Sequence, residues 1–570
     1  MKVAVIGGGP SGLVALKHLV TAHEFFSTDA IEARLFELED SIGGKFKHHD
    51  YEEAELVSSR YLTTFSDYRC PPGSPDFLAT TEYVSYLEAY CTHFNLWPHI
   101  NLQTAVTKIE RGVGGVGHIV QYLKYGVQWE WHVDAIALCS GLHHTPNILH
   151  IDGMENVPVS MHSSLLKERR QFGEGKDIMI VGSGETGMDM AYLAVTANTK
   201  SVTLCHRDGF LCASKRAPEP FWFGMKPKVT PRGNIPIDVG AASLFDTAYV
   251  HPWLKNSDLP WWYYDRFVKW TPWLVSGTKN GFDQWSSVFF IKSAKVMPYI
   301  TQQYRKTSIL NTLRSYVAQV PLAETGGRKI DLAPWPERIN ENGVVHFVEN
   351  GRPEAEVMRK KVVKPDIVIL ATRYKQSFPF LGGESYSMPR DANMRAIWKE
   401  GDESVAFIGF VRPSFGPSNS RVTYGVDHES YVYQLALDTG STPSISEILP
   451  MGWKMTLCWA LSAQVNTKFR LVGPWRWEGA KEIMHTEIWE TVTRRRGFFG
   501  HVTLSVIPIL LFGSLSALLW VVDEILKFWR GLFGMLARNW GKAVIGCLLS
   551  LCLLNVSGGL QFLGKFLPVG

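Results

Sequence analysis

Residues 3–12 read VAVIGGGPSG, an apolar run of four residues followed by a glycine pattern. The helically spaced stretch LVALKHLVTA comes next, so the local order is strand, tight turn, helix. In this arrangement the first glycine makes the turn, the second lets a pyrophosphate approach the backbone, and the third lets helix and strand pack closely. The helix N-terminus adds partial positive charge. The stretch predicts a dinucleotide site formed by Gly7, Gly9, Pro10, Ser11 and Gly12.

The next predicted strand supports this site. It reads ARLFE and places Glu37 at its carboxyl end. A carboxylate at that point accepts hydrogen bonds from a ribose diol. Glu37 is therefore predicted to bind the same dinucleotide.

A second unit of this kind begins near residue 178, where IMIV precedes a glycine pattern and the helical stretch MDMAYLAV. The strand that follows, SVTLCHR, ends in His206 and Arg207 instead of an acid. Because an arginine pairs with a 2′-phosphate, this site is predicted to prefer NADPH over NADH. Its predicted binding residues are Gly182, Ser183, Gly184, Glu185, Thr186, Gly187 and Arg207.

Other apolar runs extend the pattern to the whole catalytic region. DAIALCSG and PDIVILAT end at residues 141 and 372. Strands that alternate with helices predict an α/β class with two doubly wound, Rossmann-like dinucleotide-binding domains. We predict the first domain to be discontinuous, at 1–150 and 325–440, and the second to cover 151–324. A C-terminal extension is predicted at 441–500.

Composition excludes several classes of protein. The 570 residues are 45% hydrophobic and 20% charged, which is not typical of disorder or a coiled coil. The net charge of +4 is too small to indicate nucleic-acid binding. The eight cysteines form no CxxC pair, so neither a zinc ribbon nor a dithiol redox centre is predicted, and no metal site is expected. Two dinucleotide sites in one chain imply electron transfer between them. Because the chain has no dithiol to receive these electrons, the expected final acceptor is oxygen or a second protein.

Tryptophan is concentrated in one stretch. Residues 217–300, predicted to be an insertion in the second domain, hold seven of the chain's 20 tryptophans: Trp222, Trp253, Trp261, Trp262, Trp270, Trp273 and Trp285. Two interpretations stay open. The stretch is either a local aromatic core or a substrate channel or membrane-facing surface, since tryptophan suits the boundary between water and lipid.

The C-terminal region, residues 501–566, is predicted to anchor the chain in a membrane. Residues 502–522 and 543–564 carry no charge, and each stretch is long enough to span a bilayer. Three arginines at 494–496 precede the first stretch and favour a cytosolic start. The residues between the stretches are also basic, so one span and a two-span hairpin both remain possible.

Eight segments occur in the order found in one enzyme family: GGGPSG at 7–12, Glu37, IGGKF at 42–46, FSDY at 65–68, CSGLHHTPN at 139–147, GSGETG at 182–187, ILATRY at 369–374 and FIGF at 407–410. Over roughly residues 1–440 the chain resembles the flavin-containing monooxygenases, the dimethylaniline-type enzymes that oxidise nitrogen and sulfur. More distantly it resembles Baeyer–Villiger monooxygenases. The hydrophobic tail resembles that of microsomal members, which implies the endoplasmic reticulum with the catalytic domains facing the cytosol.

The resemblance implies a mechanism. FAD would occupy the first glycine pattern, with Gly44 and Lys45 also binding it, and NADPH would reduce it by hydride transfer. The reduced flavin would capture O₂ as a C4a-hydroperoxide and transfer one oxygen atom to the amine nitrogen or sulfide sulfur of a small molecule.

One departure from the family pattern concerns the flavin environment. The family usually has an asparagine eight residues before FSDY, where this chain has Val57. Ser58 is the candidate catalytic substitute. Two alternatives remain: Baeyer–Villiger oxidation of a ketone, and an NADPH oxidase that releases H₂O₂.

Overall fold

Two parallel β-sheets form the centre of the protein in the computed structural model. The structure describes residues 1–207, 209–210, 214–226, 231–240, 250–255, 257, 259–277, 294–303, 308–321, 323–382, 386–414, 425–462 and 465–563. In each sheet one strand, Lys2–Ile6 or Asp177–Val181, is followed by a glycine turn and a helix, as predicted. Trp285 lies outside the described residues.

The first sheet is built on the N-terminal strand. Its spatial strand order is Val405–Phe407, Ala135–Leu138, Lys2–Ile6, Glu32–Phe36 and Ile100–Asn101. Val3, Ala4 and Val5 are buried, because a central parallel strand has neighbours on both faces. The helix Pro10–Val20 packs on this sheet through Leu13 and Leu16. Proline at the first helical position suits the fixed φ angle of the helix start.

The second sheet has the spatial order Ile330–Ala333, Ser201–Cys205, Asp177–Val181, Ile367–Leu370 and Val159–His162. This order corrects the predicted domain limits. Ile330–Ala333 pairs in parallel with Ser201–Cys205, and Ile367–Leu370 pairs with Asp177–Val181. The second domain therefore extends through Leu370 and does not end at 324. The chain rejoins the first sheet at Val405–Phe407.

Smaller elements surround the two sheets. The antiparallel pairs are Thr145–Pro146 with Tyr374–Lys375, Phe221–Trp222 with Ala318–Gln319, and Pro336–Ile339 with Val345–Phe347, while Arg412–Ser414 and Gly425–Asp427 pair in parallel. Helices before residue 428 are Ala22–Phe25, Lys45–His48, Arg60–Thr63, Thr80–His93, Glu185–Thr196, Pro252–Lys255, Leu259–Ser276, Met297–Thr301, Ile309–Val317 and Pro353–Arg359. The later helices are His428–Asp438, Ile445–Ile448, Trp453–Leu461, Gly479–Ile483, Trp489–Thr493 and Ser514–Leu563, with π-helical turns at Met484–Ile488, Phe499–Val506 and Ile509–Gly513.

An antiparallel sheet of Thr104–Arg111, His118–Lys124 and Val127–Val133 covers one side of the first domain. His118 is 2% exposed there. Its Nδ1 lies 2.8 Å from the Tyr386 hydroxyl, and its Nε2 lies 3.0 Å from Ser404 Oγ. Burial, reinforced by Arg111, lowers the pKa of His118 to about 4. The folded protein therefore holds this imidazole neutral.

His118 is expected to make the protein sensitive to acid. The unfolded chain binds a proton near pH 6.5, but the folded protein does so only near pH 4. The contribution of neutral His118 to the free energy of unfolding is thus fully present above pH 6.5, and it is lost as the pH falls toward 4. The loss from His118 is about 2 kcal/mol between pH 7 and pH 5. His118→Asn has no titrating group at this position. The difference in unfolding free energy between wild type and variant, measured by urea titration, should therefore narrow by about 2 kcal/mol from pH 7 to pH 5. An unchanged difference would contradict the assignment.

The C-terminal extension is tied to the first domain by buried ion pairs. Both terminal guanidinium nitrogens of Arg494 donate to Asp76, each at 2.8 Å. Arg495 is 3% exposed and donates to the backbone carbonyl of Leu461 at 2.6 Å. Two of the three arginines at 494–496 are therefore committed to internal contacts. They do not form the free cationic flank on which the predicted membrane orientation rested.

The hydrophobic tail does not form the two-span hairpin, which is one of the two arrangements that the sequence left open. Ser514–Leu563 is one helix, so residues 523–542 are helical and do not form a loop between two spans. The start of the predicted first span lies against the protein, where Ser505 and Phe512 are buried. Among the described residues, one helix, Ile509–Leu553, is long and apolar enough to cross a membrane.

The tryptophan-rich insertion packs against the start of this tail. The Tyr263 hydroxyl donates to the Thr503 carbonyl at 2.6 Å, and Val250 and Leu254 share a buried cluster with Phe512. Trp253, Trp262 and Trp270 are 61%, 57% and 49% exposed. These three tryptophans therefore do not form a local core.

Candidate functional site

The first glycine pattern forms an open cradle at the start of a helix. Gly7 has a φ of +113°, which favours glycine. A Cβ on Gly12 would lie 1.9 Å from the Gly7 carbonyl oxygen, so only glycine allows this approach of helix and strand. Gly9 caps the helix, and a Cβ there would meet no atom within 4 Å. The space above Gly9 is thus left for a ligand.

Glu37 lies beside this cradle. It is buried, and its Oε2 accepts a hydrogen bond from the Gly8 amide at 2.5 Å. Its Oε1 accepts a hydrogen bond from the Glu39 amide at 3.0 Å. The carboxylate is held in one orientation at the carboxyl edge of the first sheet. This is the position from which it can accept hydrogen bonds from ribose hydroxyls.

Gly44 and Lys45 extend the cradle on its other side. A Cβ on Gly44 would lie 3.3 Å from Gly9 Cα, and the Gly43 amide donates to the Gly8 carbonyl at 3.0 Å. Lys45 begins the short helix Lys45–His48. The family resemblance implied that Gly44 and Lys45 bind the same cofactor as the first cradle. The structure places both residues beside that cradle.

The second glycine pattern repeats the first in detail. Gly182 also has a φ of +113°, and a Cβ on Gly187 would lie 1.9 Å from the Gly182 carbonyl oxygen. Gly184 caps Glu185–Thr196 and, like Gly9, has no atom within 4 Å of a Cβ position. Ser183 and Thr186 are half-buried on either side of Gly184. The chain therefore contains two cradles with matching local geometry.

The two cradles differ in charge at the end of the neighbouring strand. His206 is buried, and its Nδ1 accepts a hydrogen bond from the Gly209 amide at 2.9 Å. Arg207 is exposed, and its guanidinium lies 4.7 Å from the centre of the Trp335 ring. Stacking on an aromatic face orients an arginine without using its hydrogen-bond donors. An oriented cation thus stands where the first cradle has Glu37.

Direct contacts join the surroundings of the two cradles. The Tyr51 hydroxyl donates to Asp189 at 2.5 Å, from the first domain to the helix of the second pattern. Burial and the Asp189 charge raise the pKa of Tyr51 well above its usual value. Lys167 donates to the carbonyls of His48 and Asp50 at 3.1 and 3.0 Å. The segment after Gly44 is therefore fixed to the second domain.

An aromatic group surrounds Tyr374 between the two domains. Its ring stacks on His49 at 5.6 Å and meets the rings of His143 and His162 edge-on at 5.5 and 5.1 Å. The pKa of His49 is lowered to about 4 by burial and by nearby cations, chiefly Lys167. Within the described ranges, no three His, Cys, Asp or Glu residues converge as metal ligands.

Arg373 keeps a backbone shape that glycine would adopt more easily. Its φ is +71°, and its carbonyl accepts hydrogen bonds from the Asn147 amide at 3.0 Å and lies 3.1 Å from His162 Nε2. A residue other than glycine in this left-handed conformation costs about 1 kcal/mol or more.

Ser58 is engaged in a local contact. Its Oγ lies 2.7 Å from Thr63 Oγ1. The adjacent Ser59 amide donates to Asp238 Oδ2 at 2.6 Å, and burial raises the pKa of Asp238 to about 6. Val57 is half-buried and offers no hydrogen-bonding side chain. A catalytic role for Ser58 remains a prediction.

Two features of the site were not predicted. A Cβ on Gly409, which has a φ of +85°, would lie 2.1 Å from Ser11 Oγ, so the FIGF segment closes against the first cradle. The FIGF segment belongs to the pattern that carries the family resemblance, and this was the signal that could have identified it. The Tyr51–Asp189 contact, between residues 138 apart in the chain, had no local signal.

Comparison with known proteins assigns this arrangement to a family. Residues 1–225 match the model of the flavin-binding monooxygenase-like family. The chain is 44% identical to monooxygenase cfoE of Aspergillus candidus, over 92% of this chain and 99% of that protein. It is 24% identical to human flavin-containing monooxygenase 2, over 85% and 91% of the two chains. Tmm from Pelagibacter sp. strain HTCC7211 is similar in structure, with a TM-score of 0.48, 14% identity and coverage of 87% and 93%. The chain therefore belongs to the flavin-binding monooxygenase-like family and is a flavin-dependent monooxygenase.

Proposed function

We propose that the first cradle binds FAD, that the second binds NADPH, and that the enzyme transfers one oxygen atom from O₂ to the amine nitrogen or sulfide sulfur of a small molecule. The observation that carries this proposal is the pairing of two matching glycine cradles with opposite charges at the strand ends. Glu37 suits the unphosphorylated ribose of FAD, and Arg207 suits the 2′-phosphate of NADPH.

The residues present fit both cofactors. A Cβ at Gly9 or Gly184 would meet no protein atom within 4 Å, which leaves room for a pyrophosphate at each helix N-terminus. Glu37 is already fixed by two backbone amides. When bound, the flavin would accept hydride from NADPH and activate O₂.

The protein's own contribution is to hold the two sites in place and to exclude water. The Tyr51–Asp189 contact fixes the flavin-side loop to the NADPH-side helix, and the Lys167–His48 contact fixes the same loop to the segment before that domain's first glycine pattern. Tyr374 and its three histidine neighbours fill space between the domains with rings. Dry, rigid surroundings prevent side reactions of reactive intermediates.

A coupling measurement tests the proposed reaction. The purified full-length protein is supplied with NADPH and O₂, together with a tertiary amine, a thioether or a cyclic ketone. We expect one oxygenated product per NADPH with the amine or the thioether. Stoichiometric H₂O₂ with every compound would support an oxidase instead, and a lactone or ester from the ketone would support Baeyer–Villiger chemistry.

The oxidase is the alternative that a specific observation favours. The family asparagine is replaced by Val57, and the neighbouring Ser58 hydroxyl is engaged with Thr63. If H₂O₂ dominates, Val57→Asn should raise the share of NADPH that ends in oxygenated product. Val57→Ala is the matched control, because it changes the volume without adding a hydrogen-bonding group.

Arg207 is expected to determine the choice of nicotinamide cofactor. Arg207→Ala removes a charge-assisted contact to the 2′-phosphate, which is worth roughly 1.5–3 kcal/mol. The KM for NADPH should rise roughly 10- to 150-fold, while the KM for NADH should change little. Steady-state kinetics with both cofactors measures this. Arg207→Lys, which keeps the charge but not the planar fork, should lie between wild type and alanine. An unchanged NADPH preference in Arg207→Ala would show that the guanidinium does not contact the phosphate.

We further propose that the C-terminal helix anchors the enzyme in the endoplasmic reticulum with both nucleotide domains in the cytosol. The uncharged residues 543–563 continue one helix and support this proposal. Cell fractionation and protease protection of sealed microsomes test it. Catalytic domains protected from protease in intact microsomes would reverse the proposed orientation.

A further inference from the structure

The long C-terminal helix is too long to lie wholly within a bilayer. Ser514–Leu563 has 50 residues, which corresponds to about 75 Å at 1.5 Å per residue. The hydrocarbon core of a membrane is about 30 Å thick. The uncharged residues 543–563 alone would fill that core. The part of the helix before residue 543 therefore needs a different environment.

That earlier part has two distinct faces. At 100° per residue, the charged residues fall within about a third of the circumference. They are Asp523, Glu524, Lys527, Arg530, Arg538 and Lys542. The other side carries exposed apolar and aromatic side chains: Val521, Ile525, Phe528, Trp529, Phe533, Leu536 and Trp540. Phe528, Phe533 and Trp540 are 67%, 64% and 74% exposed. An apolar face of this size is unstable in water.

The polar face is cationic. Asp523 Oδ2 lies 3.0 Å from His251 Nε2, which fixes the helix to the insertion at its first charged residue. Lys527 donates to Glu524 at 2.6 Å. Residues 525–570 contain no Asp or Glu. Arg530 and Lys542 are exposed. Two copies of this helix would therefore bring like charges together, whereas the anionic lipid surface of a membrane carries complementary charge.

We propose that residues 521–542 form an amphipathic helix that lies in the plane of the membrane surface. Its apolar face enters the boundary between headgroups and acyl chains, its cations contact lipid phosphates, and only residues 543–563 cross the bilayer. Basic residues opposite tryptophan and phenylalanine are typical of such interfacial helices. This arrangement requires the helix Ser514–Leu563 to bend at the membrane surface, and Gly541, where glycine weakens helical preference, is the residue nearest to that transition. This inference rests on the proposed membrane anchor and adds the lipid surface that the enzyme recognises.

Fluorescence at three positions tests the arrangement in the full-length protein. An environment-sensitive fluorescent amino acid replaces Phe528, Arg530 or Leu549, one at a time. Each variant is reconstituted into vesicles of phosphatidylcholine and phosphatidylserine, with bromine atoms near the headgroup or near the chain end as quenchers. We expect headgroup-side bromine to quench position 528, chain-end bromine to quench position 549, and aqueous iodide to quench position 530. Positions 528 and 530 should differ at least threefold in accessibility to iodide.

Each other pattern overturns the proposal in a recognisable way. If brominated lipid quenches positions 528 and 530 equally, the helix is immersed in the bilayer. If iodide quenches both positions equally, the helix projects into water. Position 528 shielded from both iodide and bromine means a protein partner or second copy covers the apolar face. If position 549 is not quenched by lipid, the membrane anchor itself is wrong.

A matched pair of variants tests the cationic face. With the fluorophore at position 528, Arg530→Gln combined with Lys542→Gln should reduce headgroup-side quenching severalfold in vesicles that contain phosphatidylserine. In vesicles of phosphatidylcholine alone, the same pair should have little effect. Arg530→Lys is the charge-preserving control. Loss of quenching that is equal in both lipids would mean that the cations do not recognise anionic headgroups.

Discussion

Gly9→Val is expected to yield a folded protein that contains no flavin. The backbone at Gly9 has φ −77° and ψ 179°, an extended shape that valine adopts readily. The new side chain would meet no protein atom near its Cβ. It would instead fill the space through which a pyrophosphate reaches the helix N-terminus. FAD affinity should fall about 100-fold or more, which corresponds to about 2.8 kcal/mol.

The measurement is the ratio of flavin absorbance to protein after purification, together with the thermal unfolding of the protein freed of its cofactor. Gly12→Ala provides a contrasting variant, because its Cβ would lie 1.9 Å from the Gly7 carbonyl oxygen. That variant should lose flavin and also unfold at lower temperature, since the helix must move away from the strand. Gly9→Val with normal flavin content would exclude the first cradle as the FAD site.

The glycine cradles were predictable because their signal is local. The order of strand, glycines and helix occupies about 20 consecutive residues in each case, and the backbone requirements act within that stretch. The charge at the next strand end also follows from a short stretch of sequence. Glu37 beside Gly8 and Arg207 beyond Cys205 are therefore found where they were predicted.

Sheet membership was harder to predict because apolar strands resemble one another. Ile330–Ala333 and Ile367–Leu370 are fully buried parallel strands, and their composition does not indicate which sheet they join. Their pairing with residues more than 100 positions away decides the domain limit. The Arg494–Asp76 pair joins residues 418 positions apart, so sequence position alone suggested a membrane flank.

One span and a two-span hairpin were both left open, although the sequence did contain a signal against the hairpin. Hydropathy identifies uncharged stretches but treats any charged stretch between them as a break. Lys527, Arg530 and Lys542 lie on one side of a helix, and no proline occurs between residues 509 and 566. This spacing is typical of a continuous amphipathic helix. Periodicity, applied to residues 523–542, would have predicted the observed structure.

Gly184→Val is expected to keep its flavin and to lose reduction by NADPH. Gly184 has φ −70° and ψ 179°, almost the same as Gly9, and a Cβ there also meets no atom within 4 Å. The valine variant should therefore fold normally, and its side chain should obstruct only the pyrophosphate of the second site. The rate of flavin reduction by NADPH at a fixed, sub-saturating concentration should fall at least 100-fold, which corresponds to about 2.8 kcal/mol.

Two controls give this result its meaning. Dithionite should reduce the bound flavin of Gly184→Val normally, since it needs no nucleotide site, and flavin content should equal that of wild type. Gly187→Ala, whose Cβ would lie 1.9 Å from the Gly182 carbonyl oxygen, should instead destabilise the second domain. Normal NADPH reduction in Gly184→Val would rule out the second cradle as the NADPH site. Loss of flavin in Gly9→Val and loss of NADPH reduction in Gly184→Val would show that two cradles of the same shape serve different cofactors. Since the backbone geometry is shared, the difference between the cofactors would come from the residue at the strand end, Glu37 or Arg207.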